Sequence, residues 1–164
     1  MSSKPYIFVD LDETLIHTFN SDEDPIGEYK TFHLADGKYE TVLRSGAHSF
    51  LGKLRELGDV FMLTIATQEY AQIMNAAFEF NFNTKFEIFS RENIKDNIVS
   101  LPQTGQKVYL FDNLHRSDNG TKIRYLRPLW TDYSNFNYIQ VKEFSGEHFP
   151  FSEEYITELI KQVK

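Results

Sequence analysis

The stretch Tyr6-Ile7-Phe8-Val9-Asp10-Leu11-Asp12-Glu13-Thr14-Leu15-Ile16-His17 decides the fold. It opens with an apolar run of aromatic and β-branched residues that stops at an acid, the pattern of a strand buried on both faces of a parallel sheet. Two further runs, Val60 to Leu63 and Val108 to Phe111, share this character and give way to Thr64 and Asp112. Between them lie helical periods. Phe50, Leu51, Leu54 and Leu57 follow one, and Tyr70, Ile73, Met74 and Ala77 another. Ile94, Ile98 and Leu101 suggest a shorter helix, and Ser152 followed by Glu153 and Glu154 caps a closing helix with Ile156, Leu159, Ile160 and Val163 on one face. Strands alternating with helices at this spacing predict an α/β fold, a three-layer sandwich around a mainly parallel sheet.

Two segments interrupt the alternation. Residues 19 to 30 contain the acidic run Asp22 to Asp24 and read as a solvated loop. Thr31 to Leu34 and Tyr39 to Leu43 flank Ala35-Asp36-Gly37-Lys38, a hairpin signal, so a small β-hairpin is expected over 31–43, either as a flap above the strand ends or as a passive edge cover. Residues 127 to 140 are aromatic and irregular and receive no assignment. Residues 1–164 are read as one domain carrying that hairpin.

Composition narrows the chemistry. There is no Cys, which excludes disulfides, thiolate metal sites and thiol nucleophiles, and leaves oxygen or imidazole ligands for any metal. The net charge is -7, with 24 acidic and 17 basic residues, so an extended cationic footprint for nucleic acid is not expected. The 15 Phe and 9 Tyr read as core and strand residues rather than a base-stacking platform. The apolar run after MSSKPY is too short for a signal peptide or membrane span, so a soluble, intracellular protein is expected, cytoplasmic or, in a eukaryote, nuclear. Nothing in the pattern specifies an oligomeric state.

In an open parallel sheet, ligands bind beyond the carboxyl ends of the strands. That places Asp10, Thr64 and Asp112 on one edge, with Thr67 as a candidate helix cap. Asp10 and Asp12 are two apart, which in extended chain puts both on one side, about 6 to 7 Å apart along the backbone. One such carboxylate can attack phosphorus and bind a cation while the other donates and accepts protons. An EF-hand is excluded because Leu15 stands where the sharp turn needs Gly.

The run Phe8-Val9-Asp10-Leu11-Asp12-Glu13-Thr14-Leu15-Ile16-His17 resembles the first motif of the haloacid dehalogenase (HAD) superfamily, whose sheet is Rossmann-like. More narrowly, it is similar to the carboxyl-terminal-domain phosphatase (FCP/SCP-type) branch, the NLI-interacting-factor family. Leu43-Arg44-Ser45-Gly46, Thr64-Ile65-Ala66 with Tyr70-Ala71, Ser90-Arg91-Glu92, Lys95-Asp96 and Phe111-Asp112-Asn113 follow in the family's order. The resemblance implies a magnesium-dependent phosphomonoesterase in which Asp10 is transiently phosphorylated and Asp12 is general acid and base. It further implies that Thr64 and Lys95 hold the phosphoryl oxygens. Mg²⁺ would bind Asp10, the Asp12 carbonyl and Asp112, with Asn113 beside it. Lys107, at the amino end of a strand, is set aside as pointing away.

Two departures qualify the match. Only Asn93 and Ile94 separate Glu92 from Lys95, where the family commonly carries an insert that docks a phosphopeptide, and Ser45 replaces a turn proline. The five His residues, His17, His33, His48, His115 and His148, are read as surface or loop residues. Arg116, Lys122, Arg124 and Arg127 are read as an ordinary solvated face, with a basic rim for an anionic substrate as the alternative. Thr14 is expected to support its loop by hydrogen bonding.

The expected substrate is a phosphoserine or phosphothreonine protein, with a nucleotide or small metabolite as the alternative. Phosphotransfer to an acceptor other than water, and a phosphoryl-binding module without turnover, are the other readings. A receiver domain fits poorly, because there the acids precede Thr and Lys, whereas here Asp112 comes last.

Overall fold

The structure is a computed structural model that describes residues 4–19, 31–33, 40–82, 87–102, 105–130, 132–144 and 150–163. Strand β1 (Tyr6–Asp10) lies at the centre of a five-stranded sheet. It pairs in parallel with β5 (Asp59–Leu63) on one side and β7 (Val108–Asp112) on the other. β6 (Glu87–Phe89) and β8 (Phe136–Gln140) form the parallel edges, giving the order β6-β5-β1-β7-β8. All five residues of β1 and of β7 are buried, as expected for central strands covered on both faces.

Strand alternation sorts the core into two layers. Ile7, Val9, Met62, Tyr109 and Phe111 face α1 (Ala47–Leu57), α2 (Gln68–Phe82) and α5 (Glu153–Ile160). Tyr6, Phe8, Phe61, Leu63, Val108 and Leu110 face α3 (Ile94–Ser100), α4 (Gly120–Leu126) and the segment carrying Leu129 and Trp130. Helices on both faces make the sandwich the sequence predicts. Phe50 shows how tightly the first layer is filled: it stacks on Phe151 at 4.5 Å and meets Phe111 edge-on at 5.5 Å. Truncating such a ring to Ala costs about 3–5 kcal/mol.

The three predicted strands, the helical periods and the Ser152 cap all appear, the cap accepting from the Tyr155 amide at 3.1 Å. Unassigned residues 127–140 contain β8, and α4 and β6 are also additions to the expected elements. A second sheet of three antiparallel strands, β2 (Ile16–Phe19), β4 (Glu40–Leu43) and β3 (Thr31–His33), leaves the loop after β1. Its β3–β4 pair is the expected hairpin, while the Asp36-Gly37 turn and the Asp22–Asp24 run lie outside the described residues. Among the described residues no helix is long and apolar enough to cross a membrane.

Candidate active site

Because β1 and β7 are neighbours with Val9 opposite Phe111, their last residues, Asp10 and Asp112, emerge side by side at the carboxyl edge. Both carboxyl groups are buried, Asp10 at 4% exposure and Asp112 at 0%. Two carboxylates so placed repel each other and lack water, so they need a cation. Lys122 provides one. Its ammonium donates to Asp10 Oδ1 and, at 2.8 Å, to Asp112 Oδ2, and the residue is itself only 4% exposed.

The second Asp10 oxygen is held from the chain that follows it. Thr14 Oγ1 donates to Asp10 Oδ2 at 3.0 Å, and the Asn113 backbone N–H donates to Thr14 Oγ1 at 3.1 Å. The Asn113 side-chain amide is oriented with its nitrogen inward, because the opposite orientation would set its carbonyl against the carboxylate. Its two hydrogens then have three acceptors within reach, Asp10 Oδ2 at 2.9 Å, Thr14 Oγ1 at 3.1 Å and the Asp12 carbonyl at 3.2 Å. The Asp112 Oδ1 atom accepts from the Leu114 amide at 3.0 Å.

The loop carrying Asp12 is built by its own backbone. Leu11 and Leu15 are fully buried anchors, and the Leu11 carbonyl accepts from the amides of Leu15 and Ile16 at 3.0 and 3.2 Å. Glu13 adopts φ 63°, a left-handed conformation that costs a residue with a Cβ roughly 1–2 kcal/mol. That cost is offset by the pair between Glu13 Oε2 and His17 Nδ1 at 2.6 Å and by the Phe144 amide donating to the Glu13 carbonyl at 2.7 Å. His17 is therefore not a surface histidine: only 14% of its side chain is exposed. The Asp12 carboxylate accepts from the Tyr70 hydroxyl at 2.6 Å through Oδ1.

Thr64 follows Leu63, the register partner of Asp10, and is buried at 1% exposure. Its hydroxyl accepts from the Ala66 amide at 3.1 Å, which leaves its proton for donation. Thr67 accepts from the Tyr70 amide at 3.3 Å, so the predicted cap is present.

Burial is the largest influence on Asp10 and pushes its carboxyl up to about 7; Lys122 pulls it down, while Asp112 and Asp12 add to the rise. Burial alone would lower the Lys122 ammonium, but the charges on Asp10 and Asp112 outweigh it and raise the group. Lys122 is thus the partner that keeps its proton at neutral pH. Glu13 is also raised, first by burial and against the pull of His17.

Lys95, assigned to the phosphoryl oxygens from sequence, is exposed on α3 and lines a pocket of about 410 Å³ with Val99, Thr121, Arg124, Tyr125 and Pro128. The lysine brought to Asp10 is Lys122, which the sequence reading had placed on a solvated face. Of the four basic residues in that group, Arg116, Arg124 and Arg127 are exposed, and Arg116 and Arg127 lie 5.5 Å from the Phe136 and Trp130 ring centres. One signal was available: Lys122 lies one turn before Leu126, on the inward face of α4, where a cation needs buried partners.

The donor set suits a hard cation. Asp10, Asp112 and the nearby Asp12 carbonyl offer only oxygen, the preference of Mg²⁺. The Asp12 carbonyl lies 3.2 Å from the Asn113 side-chain nitrogen that also meets Asp10, which puts a backbone oxygen beside the carboxylate pair.

Residues 5–150 match the model of the family described as NLI interacting factor-like phosphatase. The chain belongs to that family. It is of the HAD type, as the order of motifs indicates. A comparison with curated proteins gave no match. Among solved structures, an arginine-to-alanine variant of the fission yeast RNA polymerase II CTD phosphatase Fcp1 bound to beryllium fluoride is similar, with 22% identity and a TM-score of 0.50 over 98% of this chain and 50% of that one. Another structure of Fcp1, described as an essential RNA polymerase II CTD phosphatase, has 21% identity and a TM-score of 0.49, again covering 98% of this chain and 50% of that one. The chain therefore spans about half the length of both, and its likeness to the first is one of fold.

Proposed function

We propose that this protein is a magnesium-dependent phosphomonoesterase acting through an aspartyl phosphate on Asp10. The observation that carries the reading is the buried Asp10 carboxyl, fixed at Oδ2 by Thr14 and Asn113 and met at Oδ1 by the Lys122 ammonium. Oδ1 is the oxygen that a single side-chain movement frees for attack. It forms a bond to phosphorus as the bond to the leaving oxygen breaks, and Asp12 gives that oxygen a proton. Water then attacks the phosphoryl group, Asp12 takes the proton back, and inorganic phosphate leaves with Asp10 restored.

Lys122 swings from Oδ1 to the phosphoryl oxygens in this scheme, and the Thr64 hydroxyl donates to them. The resemblance gives the lysine's part to Lys95; we give it to Lys122, the ammonium already in contact with Asp10. Asp10, Asp112 and the Asp12 carbonyl are the residues that would hold Mg²⁺, with Asn113 ordering the Asp12 carbonyl beside them. Bound there, Mg²⁺ supplies positive charge to the equatorial oxygens. A phosphoserine or phosphothreonine protein is the proposed substrate class, supported by the motif resemblance to the carboxyl-terminal-domain phosphatase branch. The short Glu92-to-Lys95 connection argues against a docking insert of the usual kind.

The test is phosphate release from p-nitrophenyl phosphate and a phosphopeptide panel, with and without Mg²⁺, using the native chain and Asp10→Asn. Mg²⁺-dependent release that Asp10→Asn abolishes is expected. Turnover that survives Asp10→Asn would remove the nucleophile assignment, and release equal in chelator would remove the metal.

A further inference from the structure

We propose that Tyr70 is a positioning residue for proton transfer, fixing which oxygen of Asp12 carries the proton; the inference rests on the reading of Asp12 as general acid and base. The Tyr70 hydroxyl donates to Asp12 Oδ1 at 2.6 Å, whereas Oδ2 has no hydrogen bond among the described residues. A phenol O–H can donate to a carboxylate and, with a weaker bond, to the carbonyl oxygen of a carboxylic acid. The bond can therefore persist through both halves of the cycle. With Oδ1 occupied throughout, Oδ2 is the atom that gives its proton to the leaving oxygen and later accepts one from water. Without the phenol, the carboxyl group can turn about its side-chain torsions and present either oxygen.

The tyrosine is well held for this task. It is the third residue of α2, its amide donates to Thr67 Oγ1 at 3.3 Å, and the Gln68 amide donates to Glu92 Oε2 at 2.7 Å. Buried Ala71 and Met74 anchor the same helix, and the half-buried Tyr70 ring packs against their layer of the core. Asp12, by contrast, lies on a loop next to left-handed Glu13. A fixed donor on a helix thus orients an acid on a loop. The motif resemblance includes Tyr70, but the helical period gives it no polar role, because it fits the apolar face of α2.

A proton donor matters most when the leaving oxygen is basic, so dependence on the leaving group separates positioning from a general loss of structure. The experiment measures kcat/KM for aryl phosphates from p-nitrophenyl to phenyl phosphate, in native protein, Tyr70→Phe, Asp12→Asn and the double variant. Thermal unfolding of each checks the fold.

General acid catalysis is worth about 10²–10⁴-fold, so Tyr70→Phe is expected to lose about tenfold or more on phenyl phosphate and less than about threefold on p-nitrophenyl phosphate. In the double variant the tyrosine change should add almost nothing to Asp12→Asn, since coupled residues are non-additive. A loss equal across the series, or full additivity, overturns the inference while leaving the acid–base role of Asp12 intact. If Asp12→Asn itself shows no leaving-group dependence, the reading of Asp12 fails and the inference fails with it.

Discussion

Lys122 Nζ lies 2.8 Å from Asp112 Oδ2 and also donates to Asp10, so one ammonium joins the ends of two adjacent parallel strands. Removing it leaves two buried carboxyl groups facing each other. Lys122→Met should therefore cost about 3–5 kcal/mol of stability and at least about 10²-fold in kcat. Exposed Lys95 makes the contrasting variant: Lys95→Met should move stability by less than about 0.5 kcal/mol and kcat by less than about threefold. Chemical denaturation and steady-state kinetics on the two variants decide the assignment. The reverse ranking would return the phosphate-binding part to Lys95.

The buried Asp10 carboxyl gives a pH dependence with a definite sign. Its folded pKa, raised by burial to about 7, exceeds the ordinary 3.8. Between those values the folded chain binds more protons than the unfolded one, so this group's contribution to stability declines as pH rises through the window. Lys122 does not oppose this, because its raised pKa acts only at alkaline pH. Thermal unfolding of native protein and Asp10→Asn in chelator, from pH 4 to pH 8, should show the native midpoint losing ground to the variant between about pH 4 and pH 7. Parallel curves would remove the burial argument.

What could be read from sequence follows the range of the interactions involved. Asp10, Thr64 and Asp112 stand at the ends of apolar runs, and an apolar run stopped by a polar residue is a local pattern, so their convergence on one edge was legible. Lys122 was not, because its burial depends on α4 docking against the ends of β1 and β7. β6 has three residues and β8 lies in an aromatic stretch without clear alternation, so neither edge strand had a usable period. His17 was misplaced for a similar reason: its partner Glu13 is on a loop whose left-handed turn no periodicity reveals.

Arg44 offers a test of how the loop after β1 is supported. It is fully buried, its Nη1 donates to the Thr14 carbonyl at 3.0 Å and the Lys142 carbonyl at 2.9 Å, and its guanidinium lies 4.1 Å from the Phe151 ring centre. Burial, the largest cause, lowers its pKa to about 10, so it remains charged at neutral pH. Lysine lacks the planar fork and the stacking face. Arg44→Lys should destabilise by about 2–4 kcal/mol in urea denaturation. It should also lower kcat, since Thr14 passes the disturbance to Asp10. A change under about 0.5 kcal/mol would show that the two carbonyls do not depend on the guanidinium.

Gly46 is where the turn after Arg44 meets the chain entering α5. Its φ of +83° is left-handed, and a Cβ there would lie 2.0 Å from the Phe151 carbonyl oxygen. That segment cannot retreat easily: the Phe151 amide donates to the Ser45 carbonyl at 2.7 Å, and the Phe151 ring is stacked between Phe50 and the Arg44 guanidinium. The conformational cost of about 1–2 kcal/mol therefore adds to a steric one, and Gly46→Ala should destabilise by about 3 kcal/mol or more. Exposed Gly52 within α1 has open space at its Cβ, so Gly52→Ala should instead stabilise by about 0.5–1 kcal/mol. Urea denaturation of both variants checks the pair. Equal effects would mean that the Gly46 turn relaxes away from Phe151 and that its contact with the α5 segment is not a constraint on the fold.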